Sequence, residues 1–354
     1  MIKNIILFIC YNILFYISAM SENVIITDTR CKFGSKTFSN YKKCDVIKQL
    51  INCMYYQKIE ESYYWTCELL CSNCIIDLWE VYFTFMSKYI HMENPKLPIY
   101  LNKKYQDFKR EAMYVENDME MRNNANMRLI FCTITTIMTL SNKGNVIDNV
   151  KHDFDFNVEK LFEHLRAPNM EYASSIFHMN DPKECFVAIN ELSYHLQESK
   201  NKIYIHYWIN WIIEYDALCH KKKNKITCNK REFVKVDSKT LNVNVVWIIW
   251  ELLLLSAKDD KNKKMIIHNA LDLFSVKYKQ TTNKKRSHLI FFCVEVILGN
   301  VNVSIPLIEN NNILNTIQDN INITFEIIKK NEVHELHNEK VSKQDIFELA
   351  INNI

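Results

Sequence analysis

The chain contains very little glycine and proline. Of its 354 residues, only Gly34, Gly144 and Gly299 are glycine and five are proline. Doubly wound α/β enzymes need glycine in tight βα turns and wherever the backbone approaches a phosphate. No GxGxxG, GxxxxGK[ST] or GxSxG motif occurs. This scarcity argues against nucleotide-dependent α/β enzymes and α/β-hydrolases, and it favours helices.

The chain also lacks a strong overall charge. It has 44 basic and 41 acidic residues, a net charge of +3, so no field of the whole molecule would attract a polyanion. Two local basic runs remain, and we interpret them either as solvated loops or as contacts to nucleic acid. Only Tyr278 lies between their charges, whereas a platform that stacks single strands needs a series of aromatic residues. The candidate nucleic-acid-binding residues are Lys221, Lys222, Lys223, Lys230, Arg231, Lys284, Lys285 and Arg286.

The N-terminus resembles a signal peptide. Lys3 precedes an apolar run over residues 5–19. The run is short for a membrane span and contains Asn12. Met20 follows at once, so we expect translation from Met20, with a genuine signal or anchor as the alternative.

Several of the 12 cysteines fall at apolar positions of predicted helices, which indicates reduced thiols in a cytosol-like compartment.

Residues 62–101 have the most specific pattern of the chain and predict a helical hairpin. A stripe of Tyr64, Cys67, Cys71 and Cys74 has helical spacing. Asn73 tolerates the left-handed conformation that closes a helix. The second helix is expected to open with a capping box of Asp77 and Glu80 and to end before Asn94-Pro95.

The rest of the chain predicts further helices and one short strand. Asp181-Pro182-Lys183-Glu184 has the pattern of an N-cap, a proline at the first helical position and an acidic residue at N3. We expect a strand over 24–26 and helices over 45–54, 99–113, 128–140, 158–165, 203–215, 245–255, 265–275, 287–298 and 344–351. The predicted units are an extension 1–19, an N-terminal helical domain 20–142, a linker 143–168, a C-terminal helical domain 169–299 and a helical tail 300–354.

A weak internal repeat suggests two related halves. In each half, a helix that starts at an aspartate precedes a helix that carries Tyr-Trp, namely Tyr64-Trp65 and Tyr207-Trp208. Two independently similar amphipathic helices are the alternative. The predicted fold is therefore all-α, with helical hairpins stacked as an α-solenoid or a collar-like bundle.

Candidate metal sites are weak, and no metal or cofactor is predicted. Cys67, Cys71 and Cys74 share one helix stripe, whereas a tetrahedral zinc site draws ligands from two segments, so we interpret them as buried thiols. Cys219, His220 and Cys228 with His206 form a zinc alternative. His334 and His337 are one residue short of the zincin spacing.

Charged pairs at helical spacing do not suggest acid–base chemistry. Asp118 and Arg122 stand at i,i+4 and are expected to form a surface ion pair. Glu159 and Glu163 have the same spacing and are expected to lie on a solvated helix face. We find no pair of residues that indicates general acid–base catalysis.

Scattered motifs over residues 20–300 resemble an uncharacterised protein family of large nucleocytoplasmic DNA viruses. The chain departs from that family at Asn73 and Glu93, where the family usually has glycine. The family starts near this chain's Met20, and it has no assigned activity, so the resemblance implies no functional residues. The motifs are Tyr64-Trp65, Glu68-Leu69, Cys71-Ser72, Leu78-Trp79-Glu80, Lys88-Tyr89-Ile90-His91, the run over 94–101, Leu165-Arg166-Ala167-Pro168, Asp181-Pro182-Lys183-Glu184, Ala188-Ile189-Asn190-Glu191, Tyr207-Trp208-Ile209 and Trp247-Ile248-Ile249-Trp250-Glu251.

A fainter resemblance is to the C-terminal helical domain of clamp-loader-like recombination ATPases. It covers residues 45–101, where a helix is followed by a Tyr-Trp helix, a short turn, another helix and Asn-Pro. The ATPase module is absent, because the chain has no phosphate loop.

The first functional prediction is a non-enzymatic helical scaffold or adaptor of a large DNA virus, acting in replication, transcription or assembly. It would bind protein partners in the cytoplasm of the infected host cell (the viral factory) or in the virion. The alternative is a nucleic-acid-binding accessory protein of viral DNA replication, similar to a clamp-loader collar without the ATPase. No small-molecule substrate is expected.

Overall fold

The computed structural model describes residues 25–30, 33–147, 154, 156, 158–308 and 317–332. The signal-like segment 1–19, the helix expected at 344–351 and the pair His334 and His337 lie outside these ranges. None of the described helices is long and apolar enough to cross a membrane.

The all-α prediction is confirmed: 61% of the chain is helical and the described residues form no sheet. The helices of the first half are α1 (Lys43–Tyr55), α2 (Ile59–Cys71), α3 (Ile75–Phe85), α4 (Leu97–Ala112), α5 (Asp118–Asn123), α6 (Ala125–Leu140) and α7 (Val158–Phe162). Those of the second half are α8 (Phe186–Tyr194), α9 (Lys202–Lys221), α10 (Val246–Ser256), α11 (Lys261–Ser275), α12 (Thr282–Lys285), α13 (Ser287–Leu298) and α14 (Ile317–Lys329).

The strand expected at 24–26 is wrong for its described residues, Ile25 and Ile26, which lie in no strand. The backbone of Ile26 pairs with a side chain. Its N–H donates to Asn123 Oδ1 at 2.8 Å, and its carbonyl accepts from Asn123 Nδ2 at 2.9 Å. One primary amide thus supplies the donor and acceptor that a neighbouring strand would have supplied.

The hairpin prediction is confirmed, but its second helix begins differently. Helix α2 ends at Cys71, and Asn73 adopts the expected left-handed conformation with φ 53°. Helix α3 starts at Ile75 without a side-chain cap, so the capping box is wrong. Asp77 instead lies 3.1 Å from Lys43 Nζ. Glu80 faces the second half of the chain, where it contacts Arg286.

Helix α3 continues through a π-helical turn (Met86–Ile90) and a 3-10 turn (His91–Glu93). Asn94 leaves helical geometry before Pro95, as predicted. Gly144 packs on this end, where its N–H donates to the Tyr89 carbonyl at 2.8 Å. A Cβ at Gly144 would lie 2.4 Å from His91 Cε1, so this position needs glycine.

The two predicted domains share one core, because a single cluster of buried side chains extends from Val46 to Ile308. At one contact between the halves, Asn102 Nδ2 of α4 donates to Asp272 Oδ2 of α11 at 3.1 Å. Within the predicted linker, the Phe154 ring lies 5.3 Å from the Tyr207 ring, measured between ring centroids. The stacked solenoid arrangement stays a prediction.

The internal repeat also stays a prediction, and the two Tyr-Trp pairs are oriented differently. In α2, Tyr64 is buried and Trp65 is partly exposed. In α9, Trp208 is buried and Tyr207 is partly exposed. Equivalent helices would bury the same member of each pair.

The first helix of the second half begins near the predicted position, but the predicted N-cap is wrong. A 3-10 turn (Lys183–Cys185) precedes α8, and Asp181 does not cap it. The Asp181 carboxylate accepts the N–H groups of His178 and Asn229, both at 2.8 Å, and pairs with Arg231.

The ten described cysteines all carry free thiols. Cys67 and Cys71 are buried in a small second core between α2, α6 and α14, as the helix stripe predicted, and Cys74 is partly exposed. Cys67 Sγ lies 3.9 Å from Cys132 Sγ. Burial raises the pKa of the Cys132 thiol well above its ordinary value, so this thiol is unreactive at neutral pH.

Candidate functional site

Residues 276–286 connect α11 to α13 and lie between two surface features. On one side, Val276, Lys277 and Arg286 help to line a pocket against the hairpin. On the other side, Gln280 and Asn283 bond to Asp216 of α9. This connecting segment therefore positions both candidate binding surfaces.

The first surface is an apolar pocket of about 260 Å³ at the turn of the hairpin, here called the hairpin pocket. Helices α3 and α4 supply three aromatic rings to its wall: Trp79 lies 5.1 Å from Tyr105 and 5.7 Å from Phe108, between ring centroids. Ile76, in the first turn of α3, is 55% exposed. The lining residues are Asn73, Ile75, Ile76, Trp79, Glu80, Tyr105, Phe108, Met121, Val276, Lys277 and Arg286.

An ion pair between the two halves forms part of the pocket wall. Arg286 Nη2 lies 2.6 Å from Glu80 Oε1, and its guanidinium also donates to the carbonyls of Leu273, Phe274 and Val276. Burial raises the pKa of Glu80, but hydrogen bonding and charge from Arg286, aided by Lys285, outweigh it and hold the pKa below its usual value. Glu80 is therefore ionised at neutral pH and fixes the guanidinium.

Lys277 gives this pocket polar character, and the Trp79 ring in its wall carries a buried N–H. Lys277 is exposed and has a left-handed backbone with φ 46°. In the described part of the chain, no carboxylate lies within ion-pair distance of its ammonium. Trp79 is 3% exposed, and its buried indole N–H has no acceptor among these residues. A single buried N–H without an acceptor is a small but real cost to the folded state.

The second surface is organised by the buried carboxylate of Asp216. Its Oδ2 accepts from Asn244 Nδ2 and Asn283 Nδ2, each at 3.1 Å, and from the Gln280 amide. Burial raises the pKa of Asp216 despite these donors. A cavity of about 60 Å³ adjoins the carboxylate and is also lined by Lys225. Asp216 Oδ2 is thus occupied by side-chain amides of the protein, and these bonds hold the connecting segment against α9.

The second basic run contacts α9, the helix whose C-terminal end carries the first run. Lys284 Nζ lies 2.6 Å from Glu214 Oε2 of α9, and Lys285 Nζ lies 3.5 Å from Glu80 Oε1. Both ammonium groups stay about half exposed. We call the exposed set Lys221, Lys222, Lys223, Lys225, Lys230, Lys284 and Lys285 the lysine face.

Two residues leave the predicted nucleic-acid-binding set because they are buried. The Arg231 side chain is 1% exposed, 2.7 Å from Asp181 Oδ2 and 2.8 Å from Glu251 Oε2. The Arg286 side chain is 4% exposed and is held by Glu80. Neither guanidinium could reach a phosphate without breaking a buried ion pair. The other six predicted residues lie at the surface, and their binding to nucleic acid stays a prediction.

The zinc alternative does not fit the geometry. His206 and Cys219 are thirteen residues apart on α9, which separates them by about 20 Å. Cys228 Sγ donates to the Asn244 carbonyl at 3.2 Å. Across the described residues, no group of three or more His, Cys, Asp or Glu is arranged to hold a metal.

The surface ion pair expected between Asp118 and Arg122 is wrong. The Arg122 guanidinium lies inside the protein, where Nη1 donates to the carbonyls of Asp28 at 2.7 Å and Arg30 at 2.9 Å. The N-terminal segment offers a buried carbonyl pair that the helix spacing alone could not reveal. Of the second pair, Glu163 is exposed and lies 3.0 Å from Lys160 Nζ, whereas the side chain of Glu159 is outside the described set.

A row of polar side chains at i, i+4 and i+8, which the sequence motifs do not single out, lies along and just after α8. His195 Nδ1 lies 2.5 Å from Ser199 Oγ, and His195 Nε2 lies 3.5 Å from Glu191 Oε2. The row contains the residue types of a hydrolytic triad, but both Glu191 oxygens accept backbone N–H groups, from Arg166 and Ala167. The Tyr204 ring stacks on the buried imidazole at 4.9 Å. The row anchors the loop after α7.

No protein-family model, curated protein or solved structure matches this chain.

Proposed function

We propose that this protein is a non-enzymatic helical scaffold or adaptor that binds a partner protein through the hairpin pocket. The observation that carries the proposal is the pocket itself: an apolar depression walled by three aromatic rings, with a half-exposed isoleucine at its rim. Such pockets receive the anchor side chains that supply most of the binding energy at protein interfaces.

The buried chemistry of the chain supports a structural role. In its strongest polar clusters, both carboxylate oxygens of Asp181 and of Glu191 accept from donors of the protein itself, and Asp216 Oδ2 accepts from three side-chain amides. On the resemblance given above, we further propose that the adaptor serves replication, transcription or assembly of a large DNA virus in the cytoplasm of its host.

The test compares partners recovered by affinity purification from the cells that naturally make the protein. Ile76→Glu places a charge in the hairpin pocket, and Ile203→Glu is the matched control because Ile203 is 76% exposed on α9. We expect at least one partner to be recovered with the wild type and Ile203→Glu but lost with Ile76→Glu. Identical recovery with all three proteins would contradict the proposal.

The second candidate function is nucleic-acid binding, favoured by the lysine face. Six contacts to phosphates predict a slope of log K against log salt of about −5. The triple variant Lys221→Glu, Lys222→Glu and Lys223→Glu should lose this binding, whereas Ile76→Glu should keep it. No binding of DNA or RNA at low salt would remove this candidate.

A further inference from the structure

We propose that the hairpin pocket binds an apolar side chain of a partner segment in which acidic residues flank that side chain. This inference rests on the proposed adaptor function and specifies the chemistry of its partner.

The walls of the pocket fit an apolar side chain better than a nucleobase. Ile75, Ile76, Met121 and Val276 contribute aliphatic surface beside the rings. The Trp79 ring is inclined at 86° to Tyr105 and at 61° to both Phe108 and Phe131, so edges and faces interlock within the wall. Base recognition relies on open aromatic faces, whereas interlocked rings beside aliphatic groups give an apolar socket.

The charges around the pocket select for an acidic partner. Glu80 is the one carboxylate among the lining residues, and Arg286 and Lys285 already neutralise it. Lys277 then adds a positive charge at the surface, and no carboxylate of the described chain lies within ion-pair distance of its ammonium. Asp77, in the first turn of α3, is occupied by Lys43 on α1. The lining residues Glu80, Lys277 and Arg286 therefore carry a net charge of +1, which complements Asp or Glu beside the anchor.

The start of α3 adds to this preference. No side chain caps the helix, so the amides of its first turn have no side-chain acceptor, and Ile75 and Ile76 of that turn line the pocket. Anions are favoured near such a terminus, by a modest amount that adds to the attraction of Lys277.

The test is selection of a displayed random dodecamer peptide library on the intact wild-type protein. The enriched peptides are synthesised, and their dissociation constants are measured for the wild type, Ile76→Glu, Lys277→Glu and Ile203→Glu. We expect enriched peptides with Asp or Glu beside Leu, Met or Phe. Their affinity should fall about tenfold or more in the first two variants and stay unchanged in Ile203→Glu. Ile76→Ser replaces Ile76→Glu if the latter does not fold.

Different outcomes overturn different claims. One outcome would overturn the acidic partner but leave the adaptor function standing. In that outcome the enriched peptides bind Ile76→Glu more weakly than the wild type, but they carry no acidic residues or bind Lys277→Glu as tightly as the wild type. Absence of enrichment, or enriched peptides that bind Ile76→Glu like the wild type, would overturn the use of this pocket and with it the proposed function. Binding of oligo-dT that is abolished by Ile76→Glu would assign the pocket to nucleic acid instead.

Discussion

Replacing Arg231 with methionine should strongly destabilise the protein. Arg231 donates to both oxygens of Asp181, at 2.7 Å each, to Glu251 at 2.8 Å, and to the carbonyls of Ile176 and Asn229. The Arg231 and Asp181 side chains are 1% and 0% exposed. Methionine keeps the volume but leaves the Asp181 carboxylate buried without its partner. Breaking a buried pair in this way costs about 3–5 kcal/mol.

The assay is urea and thermal unfolding, followed by tryptophan fluorescence and circular dichroism. For a chain of 354 residues, the expected free-energy loss corresponds to a fall in Tm of about 4–7 °C. Lys230→Met is the matched control, because the neighbouring Lys230 is exposed and its replacement should change stability by less than about 0.5 kcal/mol. An Arg231→Met protein as stable as Lys230→Met would refute the internal role of Arg231.

The same pair predicts a pH dependence. Burial raises the pKa of Asp181, but hydrogen bonds from Arg231 and two backbone amides outweigh it and lower the pKa below the ordinary 3.8. A carboxylate with a lowered folded pKa stabilises the protein above its unfolded pKa and loses that contribution as the folded group protonates. In Arg231→Met the burial of Asp181 is no longer outweighed, so its carboxyl should protonate at a higher pH than in the wild type. The stability difference between wild type and Arg231→Met should therefore be largest at neutral pH and shrink as the pH falls toward the folded wild-type pKa of Asp181, which lies below 3.8. A difference that is unchanged at pH 3 would exclude the Asp181 pairing as its source.

Three further predictions concern other parts of the fold. Arg286→Met should destabilise by about 3 kcal/mol in urea unfolding, because it removes the buried guanidinium and leaves Glu80 with only the half-exposed Lys285 at 3.5 Å. Lys285→Met should stay near the wild type, and equal effects would contradict the buried role of Arg286. Burial lowers the pKa of His206 and His288 to about 4, so the free energy of unfolding should fall from pH 6.5 toward pH 4 by up to about 1.4 kcal/mol per pH unit for each histidine. The variants His206→Phe and His288→Phe should each flatten that slope. An unchanged slope would contradict their burial as neutral rings. Gly144→Ala should lower the free energy of unfolding by about 1–3 kcal/mol in thermal unfolding, because its Cβ meets the His91 ring. His91→Ala should relieve that loss in the double variant, and additive losses of stability would refute the clash.

Local patterns in the sequence predicted helices well. Most predicted helices are present, and the hairpin turn at Asn73 adopts the left-handed backbone that this residue suggests. The β-branched run after Arg128 forms helix α6, as its length indicated. These features depend on neighbouring residues, which is why periodicity and turn chemistry predict them.

The features that local patterns did not predict depend on residues distant in sequence. Asp181 and Glu80 each had the spacing of a helix start, yet a buried arginine 50 or 206 residues away holds each carboxylate. Arg231 and Arg286 belonged to runs of lysine that suggested solvent or phosphate contacts, and spacing alone does not reveal which member of such a run is buried. The hairpin pocket likewise joins α3, α4 and the connecting segment, which no local pattern brings together.

The proposed function requires that the partner bind at the hairpin pocket and not at the lysine face. The most direct test is the dissociation constant of one purified partner, recovered with the wild type, for three proteins: the wild type, Ile76→Glu and the triple variant of Lys221, Lys222 and Lys223 to glutamate. We predict that Ile76→Glu weakens binding about tenfold or more, while the triple variant binds like the wild type. Loss of affinity in the triple variant with none in Ile76→Glu would contradict the claim and transfer the function to the lysine face.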